Sequence, residues 1–125
     1  MEYALSNKKT YKDLLIRSRE FSKAVIRLSK EIKVNIYNEN ILKQLLRSAT
    51  SIGANYSEAR ETTTKKDFYH KISICIKESK ETEYWLDLLA MESAIAGDIY
   101  ALKQEAYEFV KMFAKMLDKN RKIDL

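Results

Sequence analysis

The sequence predicts an all-α protein, a single domain over residues 1–125 folded as an antiparallel, up-down-up-down four-helix bundle. Three observations carry this reading. Proline is absent and glycine occurs only at Gly53 and Gly97; strands and their turns need such breakers, whereas long helices exclude them. Apolar residues make up 46% and charged residues 33% of the 125, enough to bury one core and too apolar for a disordered chain. Apolar positions then recur in alternating threes and fours along four segments, the seam of helices packed in bundles.

The first helix is expected over about residues 8–33, with Leu14, Ser18, Phe21, Val25, Leu28 and Ile32 on its seam. The β-branched and Asn residues from Val34 to Asn38 break it, and Asn38 reads as the N-cap of the next helix. The second is expected over about 39–60, with Leu42, Leu45, Ala49, Ile52, Tyr56 and Ala59 facing the core. Thr62-Thr63-Thr64 ends it, and Thr64 with Asp67 resembles a capping box. The third is expected over about 65–94, on Phe68, Ile72, Cys75, Ser79, Thr82, Leu86 and Leu89. Gly97 reads as its left-handed cap and Asp98 as the N-cap of the fourth, over about 99–121, on Ile99, Leu102, Ala106, Phe109, Phe113 and Met116.

Short connections make successive helices antiparallel. Folding the four seams on one another gives layers in which small residues face large ones, as close packing requires. Phe21, Ile52, Cys75 and Met116 form one layer; Val25, Ala49, Ser79 and Phe113 the next. Leu28, Leu45, Thr82 and Phe109 follow, then Ile32, Leu42, Leu86 and Ala106. The same register places Arg47 beside Glu78 and Glu81, predicting a structural ion pair.

Apolar residues remain after the seams are filled. Tyr84, Trp85 and Leu88 on the third helix and Tyr107, Val110 and Leu117 on the fourth predict a self-association surface, since a monomer rarely exposes so large a patch. Within the second helix, Ser48, Ser51, Gly53, Ala54 and Asn55 form a small, polar stretch that predicts close approach of another helix, with a ligand pocket as the alternative.

Conventional enzyme chemistry finds no support. His70 is the only histidine, so neither a di-iron bundle site nor a His/Cys zinc site can be assembled, and no metal is expected. Cys75 is the only cysteine and lies on the core seam, which excludes an intramolecular disulfide and predicts an inert thiol. The chain has no glycine-rich phosphate loop or nucleotide fingerprint, and no cofactor is expected. The first residues lack a basic-then-apolar secretory pattern and no apolar run approaches membrane-span length, so a cytoplasmic protein without membrane attachment is expected.

Charge is unevenly placed. The net charge is +5, but residues 7–33 hold nine Lys/Arg against three Asp/Glu. Lys12, Arg19, Lys23, Arg27 and Lys30 lie away from the seam and are the candidates for phosphate contact, with Lys119, Arg121 and Lys122 at the end of the fourth helix. A merely solvated helix face would carry the same residues. Base readout is not encoded, so any recognition would be of shape and charge.

The string Gln44-Leu45-Leu46-Arg47-Ser48-Ala49-Thr50-Ser51-Ile52-Gly53-Ala54-Asn55 with Glu58-Ala59, and the string Asp67-Phe68-Tyr69-His70-Lys71-Ile72-Ser73 with Lys77-Glu78-Ser79 and Glu81-Thr82-Glu83-Tyr84-Trp85-Leu86, together resemble the four helix bundle protein family, also called 23S rRNA intervening-sequence proteins. The resemblance covers roughly residues 11–120, with Ala59 where many members have glycine. It implies a small bundle without catalytic residues. Some members form homopentamers, and the similar accessory proteins of diversity-generating retroelements bind nucleic acid. Two functions compete: a homo-oligomer that engages structured RNA or other nucleic acid, and a protein-interaction scaffold that binds none.

Overall fold

Four helices carry the chain: α1 (Lys8–Glu31), α2 (Glu39–Ala59), α3 (Lys65–Glu92) and α4 (Ala96–Ile123). The computed structural model describes residues 8–92 and 96–123, with side chains over 12–92 and 97–118. The fold is an all-α four-helix bundle. Contact pairs run in opposite chain directions between neighbouring helices. Ser18 faces Gly53 and Ser22 faces the Ala49 carbonyl; Glu58 pairs with Lys71 and Arg47 with Glu78; Arg17 pairs with Glu105 and Leu28 lies near Leu102. These pairs fit the antiparallel order.

The core is built mainly from the seam residues, with Ile32, Leu102 and Met116 only half-buried at its margin. Phe21, Val25, Leu45, Ile52, Tyr56, Ile72, Leu86, Leu89, Phe109 and Phe113 are all buried. Buried hydroxyls on the seam satisfy themselves within their helices: Ser79 Oγ donates to the Cys75 carbonyl at 2.7 Å and Thr82 Oγ1 to the Glu78 carbonyl at 2.7 Å. The Ser48 and Thr82 hydroxyl oxygens also lie 2.9 Å apart, linking α2 to α3. A buried polar group costs free energy only when it lacks a partner, so these seams stay compatible with a packed core.

The layers hold between α2 and α3 and slip against α4. The Cys75 thiol donates to the Ile52 carbonyl at 3.6 Å, within their expected layer. Phe109, however, meets Phe21 edge-to-face at 5.4 Å, and Phe113 meets Tyr56 at 5.4 Å. Flat layers assume parallel axes, whereas packed helices cross, by about 20° in bundles. Long aromatic side chains then reach partners one or two turns away. The α4 seam also drifts at its end: Leu117 enters the core and Met116 is only half-buried. A straight helix rotates against a strict 3.5-residue repeat, and Phe109, Phe113 and Leu117 follow the resulting i, i+4 row.

Asn38 takes the N-cap position of α2, as expected, but without a side-chain cap bond; its carbonyl accepts from the Leu42 N–H at 2.9 Å while its side chain serves the α1–α2 connection. The expected cap at Gly97 is corrected. Gly97 lies inside the first turn of α4, with Asp98 beside it, and does not adopt a left-handed conformation. The expected end of the third helix at Ala94 falls outside the described residues. At α3, Thr64 Oγ1 accepts from the Asp67 N–H at 3.1 Å, as a capping residue does.

The small stretch of α2 serves helix approach. A β-carbon on Gly53 would lie 3.1 Å from Ser18 Oγ on α1, and Ser18 is fully buried. Asn55 Nδ2 donates to the Ser51 carbonyl of its own helix at 2.9 Å and Ser51 Oγ to the Arg47 carbonyl at 2.7 Å.

Candidate nucleic-acid interface

Seams at i, i+3, i+4 and i+7 turn one side of α1 inward, so the opposite side must face water. Lys12, Arg19, Lys23 and Lys30 recur at spacings of seven, four and seven and return to that outer stripe, with Arg27 on its flank. All five are exposed. Lys23 Nζ lies 3.3 Å from Glu20 Oε1; among the described residues no carboxylate is within ion-pair range of Lys12, Arg19, Arg27 or Lys30. Ile16 and Ile26, 58% and 38% exposed, sit between these cations. Lys119, Arg121 and Lys122 lie outside the described side chains.

Arg17 departs from this stripe. Its guanidinium grips Glu105 of α4 with two of its three nitrogens, Nε to Oε2 and Nη2 to Oε1, each at 2.7 Å. It also lies 5.8 Å from the Phe109 ring centroid. The Glu105 hydrogen bonds hold its pKa above the ordinary value, against partial burial. Arg17 therefore ties α1 to α4. Further along, the two helices leave an open groove of about 290 Å³ lined by Ala24, Arg27, Leu28, Glu31, Asp98, Ala101 and Leu102.

A second surface lies on α3 and α4. Lys103 Nζ meets Asp87 Oδ1 at 2.6 Å, a hydrogen bond that raises the lysine pKa. About one turn from this pair, and on the same side of it, lie Tyr84 and Tyr107, 55% and 47% exposed. Lys111 Nζ lies 4.8 Å from the Tyr107 ring centroid. Nearby, partial burial pushes the Glu83 carboxyl up. Tyr100 and Met91, 65% and 82% exposed, extend the apolar area. Trp85 packs edge-to-face on Tyr84 at 4.9 Å, but its body is half-buried against the core. Leu88 and Val110 are half-buried. Leu117 is the correction here: it is 9% exposed and fills the chain's own core, leaving the expected interface without it.

Arg47, Glu78 and Glu81 come together between α2 and α3. Arg47 Nη1 is 3.1 Å from Glu78 Oε2, and Nη2 pairs with Glu81. Glu81 Oε2 also accepts from the Trp85 indole N–H at 3.1 Å, so the cluster orients the tryptophan. Glu78 is buried, whereas Arg47 is half in water. Cys75 is buried, and desolvation pushes its thiol up to about 12, which removes nucleophilic thiolate at neutral pH. Among the described residues no group of three His, Cys, Asp or Glu side chains is placed to hold a metal, and no helix is long and apolar enough to cross a membrane.

Sequence reasoning missed the α1–α2 connection as a feature. Val34, Ile36 and Tyr37 are 58%, 86% and 74% exposed there. The available signal was three apolar residues in a helix break that no seam claims.

Fold and surfaces together define a small helical-bundle protein with a cationic outer helix and an aromatic face. The chain belongs to the 23S rRNA-intervening sequence protein family, whose model matches residues 12–115. It is similar to a protein of unknown function from the S23 ribosomal protein family of Bacteroides thetaiotaomicron VPI-5482. That structure has a TM-score of 0.71 and 34% sequence identity, over 82% of this chain and 96% of that one. No curated protein is significantly similar to this chain.

Proposed function

We propose that this protein is a non-enzymatic binding module: a homo-oligomer that engages structured RNA through the outer face of α1. The observation that carries the reading is the row of exposed Lys12, Arg19, Arg27 and Lys30, left without carboxylate partners among the described residues, with Lys23 between them. Phosphates are the natural counter-charge for such a row, and each one neutralised releases a counterion. The family's description, a 23S rRNA-intervening sequence protein, supports ribosomal RNA as the first candidate ligand. Assembly through Tyr84, Leu88, Tyr107 and Val110, with Trp85 as an orienting anchor, would repeat the cationic helix around one particle and strengthen its field.

The test is binding of purified protein to a structured RNA and to a matched DNA duplex across a salt series. Affinity that falls steeply with salt is expected. Absence of binding to either at low salt contradicts the proposal and leaves a protein-interaction scaffold.

A further inference from the structure

The α1–α2 connection exposes apolar side chains on a backbone that is firmly held. Asn38 is buried at its base, 1% exposed. Its Nδ2 donates to the Lys33 carbonyl at 3.0 Å, and its Oδ1 accepts from the Asn35 N–H at 2.8 Å. Asn35 Oδ1 in turn accepts from the N–H groups of Tyr37 at 2.8 Å and Asn38 at 2.9 Å. Two asparagine side chains thus fix the chain on both sides of Ile36 and Tyr37, and Asn38, the residue after Tyr37, is tied to the Lys33 backbone. The outer stripe of α1 leads into this latch, with Lys30 in the last helical turn and Lys33 opening the connection.

A solvent-exposed aromatic side chain on a held backbone, at the end of a cationic row, suits an unpaired nucleotide. Cations hold the phosphates while the ring takes the face of the base. We infer that Tyr37 is a stacking platform for an unpaired base of an RNA whose phosphates lie along α1, with Ile36 as an apolar wedge beside it. This rests on the RNA reading proposed above and narrows its ligand to RNA with a loop, bulge or overhang. Because the latch orders the backbone before binding, little ordering cost falls on the encounter.

The experiment uses the full chain, Tyr37→Ala and Tyr37→Trp, against two RNAs of equal length. One is a hairpin carrying 2-aminopurine in its loop; the other is a blunt duplex. The wild type is expected to bind the hairpin more tightly and to quench the 2-aminopurine. Tyr37→Ala is expected to weaken hairpin binding by about five- to a hundredfold, the range of one lost stacking contact, with duplex binding unchanged. Tyr37→Trp is expected to retain both the affinity and the quenching. An unchanged hairpin affinity in Tyr37→Ala, or an equal loss on both RNAs, overturns the stacking platform alone. A changed oligomeric mass with RNA binding intact also overturns it and makes the tip a protein contact. If the wild type binds neither RNA at low salt, both this inference and the RNA reading fall.

Discussion

Gly53 of α2 sits so near Ser18 of α1 that an added β-carbon would lie 3.1 Å from the serine hydroxyl oxygen and 3.4 Å from its β-carbon. Helix propensity alone favours alanine over glycine by about 1 kcal/mol. Gly53→Ala is therefore expected to gain less than that, because Ser18, fully buried and donating to the Leu15 carbonyl, must shift to admit the methyl group. Ser18→Ala removes the nearest atom. In that background Gly53→Ala should become more favourable by about 0.5 kcal/mol or more, read as the coupling in a urea-denaturation double-mutant cycle. Additive effects would contradict the close approach. Gly53→Val should cost about 1–3 kcal/mol as overpacking.

The Arg47 cluster separates a buried carboxylate from a surface pair. Arg47→Ala leaves Glu78, with a side chain 9% exposed, short of its cationic partner. Destabilisation of about 1–3 kcal/mol is expected, and Glu78→Gln added to it should recover part of the loss. Glu20→Ala, which breaks the exposed pair with Lys23, should cost under about 0.5 kcal/mol. Equal effects in thermal melts would show that Glu78 is not sequestered.

Which parts of this were legible in the sequence follows from chain geometry. Arg47 met Glu78 and Glu81 because a short connection sets the α2–α3 register, and neighbouring helices then follow by counting. Phe21 and Phe109 could not be paired that way, since their contact depends on helix tilt, which no local pattern encodes. Gly97 read as a terminator from composition alone, yet Ala96 and Asp98 carry the helix through it. Asn38 was recognised as a boundary residue, but its partners, Lys33 and Asn35, appear only once the connection is folded. The cationic row of α1 was visible from periodicity; the detachment of Arg17 toward Glu105 required the position of α4.

Cys75 should be silent in the native state. Its thiol ordinarily ionises near 9.0 and burial pushes it to about 12. Because the folded pKa is raised, the folding stability linked to this group is complete below about pH 9 and is lost as pH rises from 9 toward 12. Iodoacetamide at pH 8 is expected to label Cys75 slowly in buffer and rapidly in denaturing urea. Equal rates would mean that the α2–α3 seam opens readily.

Assembly should depend on the α3–α4 face. Tyr84→Glu with Tyr107→Glu places charge on two exposed rings and should leave helicity unchanged while lowering the mass measured by light scattering. An unchanged mass would place the contact elsewhere, and a wild type that is monomeric at all concentrations would remove the assembly claim.

Charge reversal at constant net charge shows whether the outer face of α1 meets RNA phosphates. Lys23, Arg27 and Lys30, each changed to Glu, are compared with Lys66, Lys77 and Lys115, each changed to Glu; all six are exposed. The measurement is affinity for a structured RNA against salt concentration. Loss of binding is expected in the α1 variant, and in the other a weaker but still measurable affinity with an unchanged salt slope. Equal losses in the two variants would contradict that contact, because attraction would then follow total charge and not this helix.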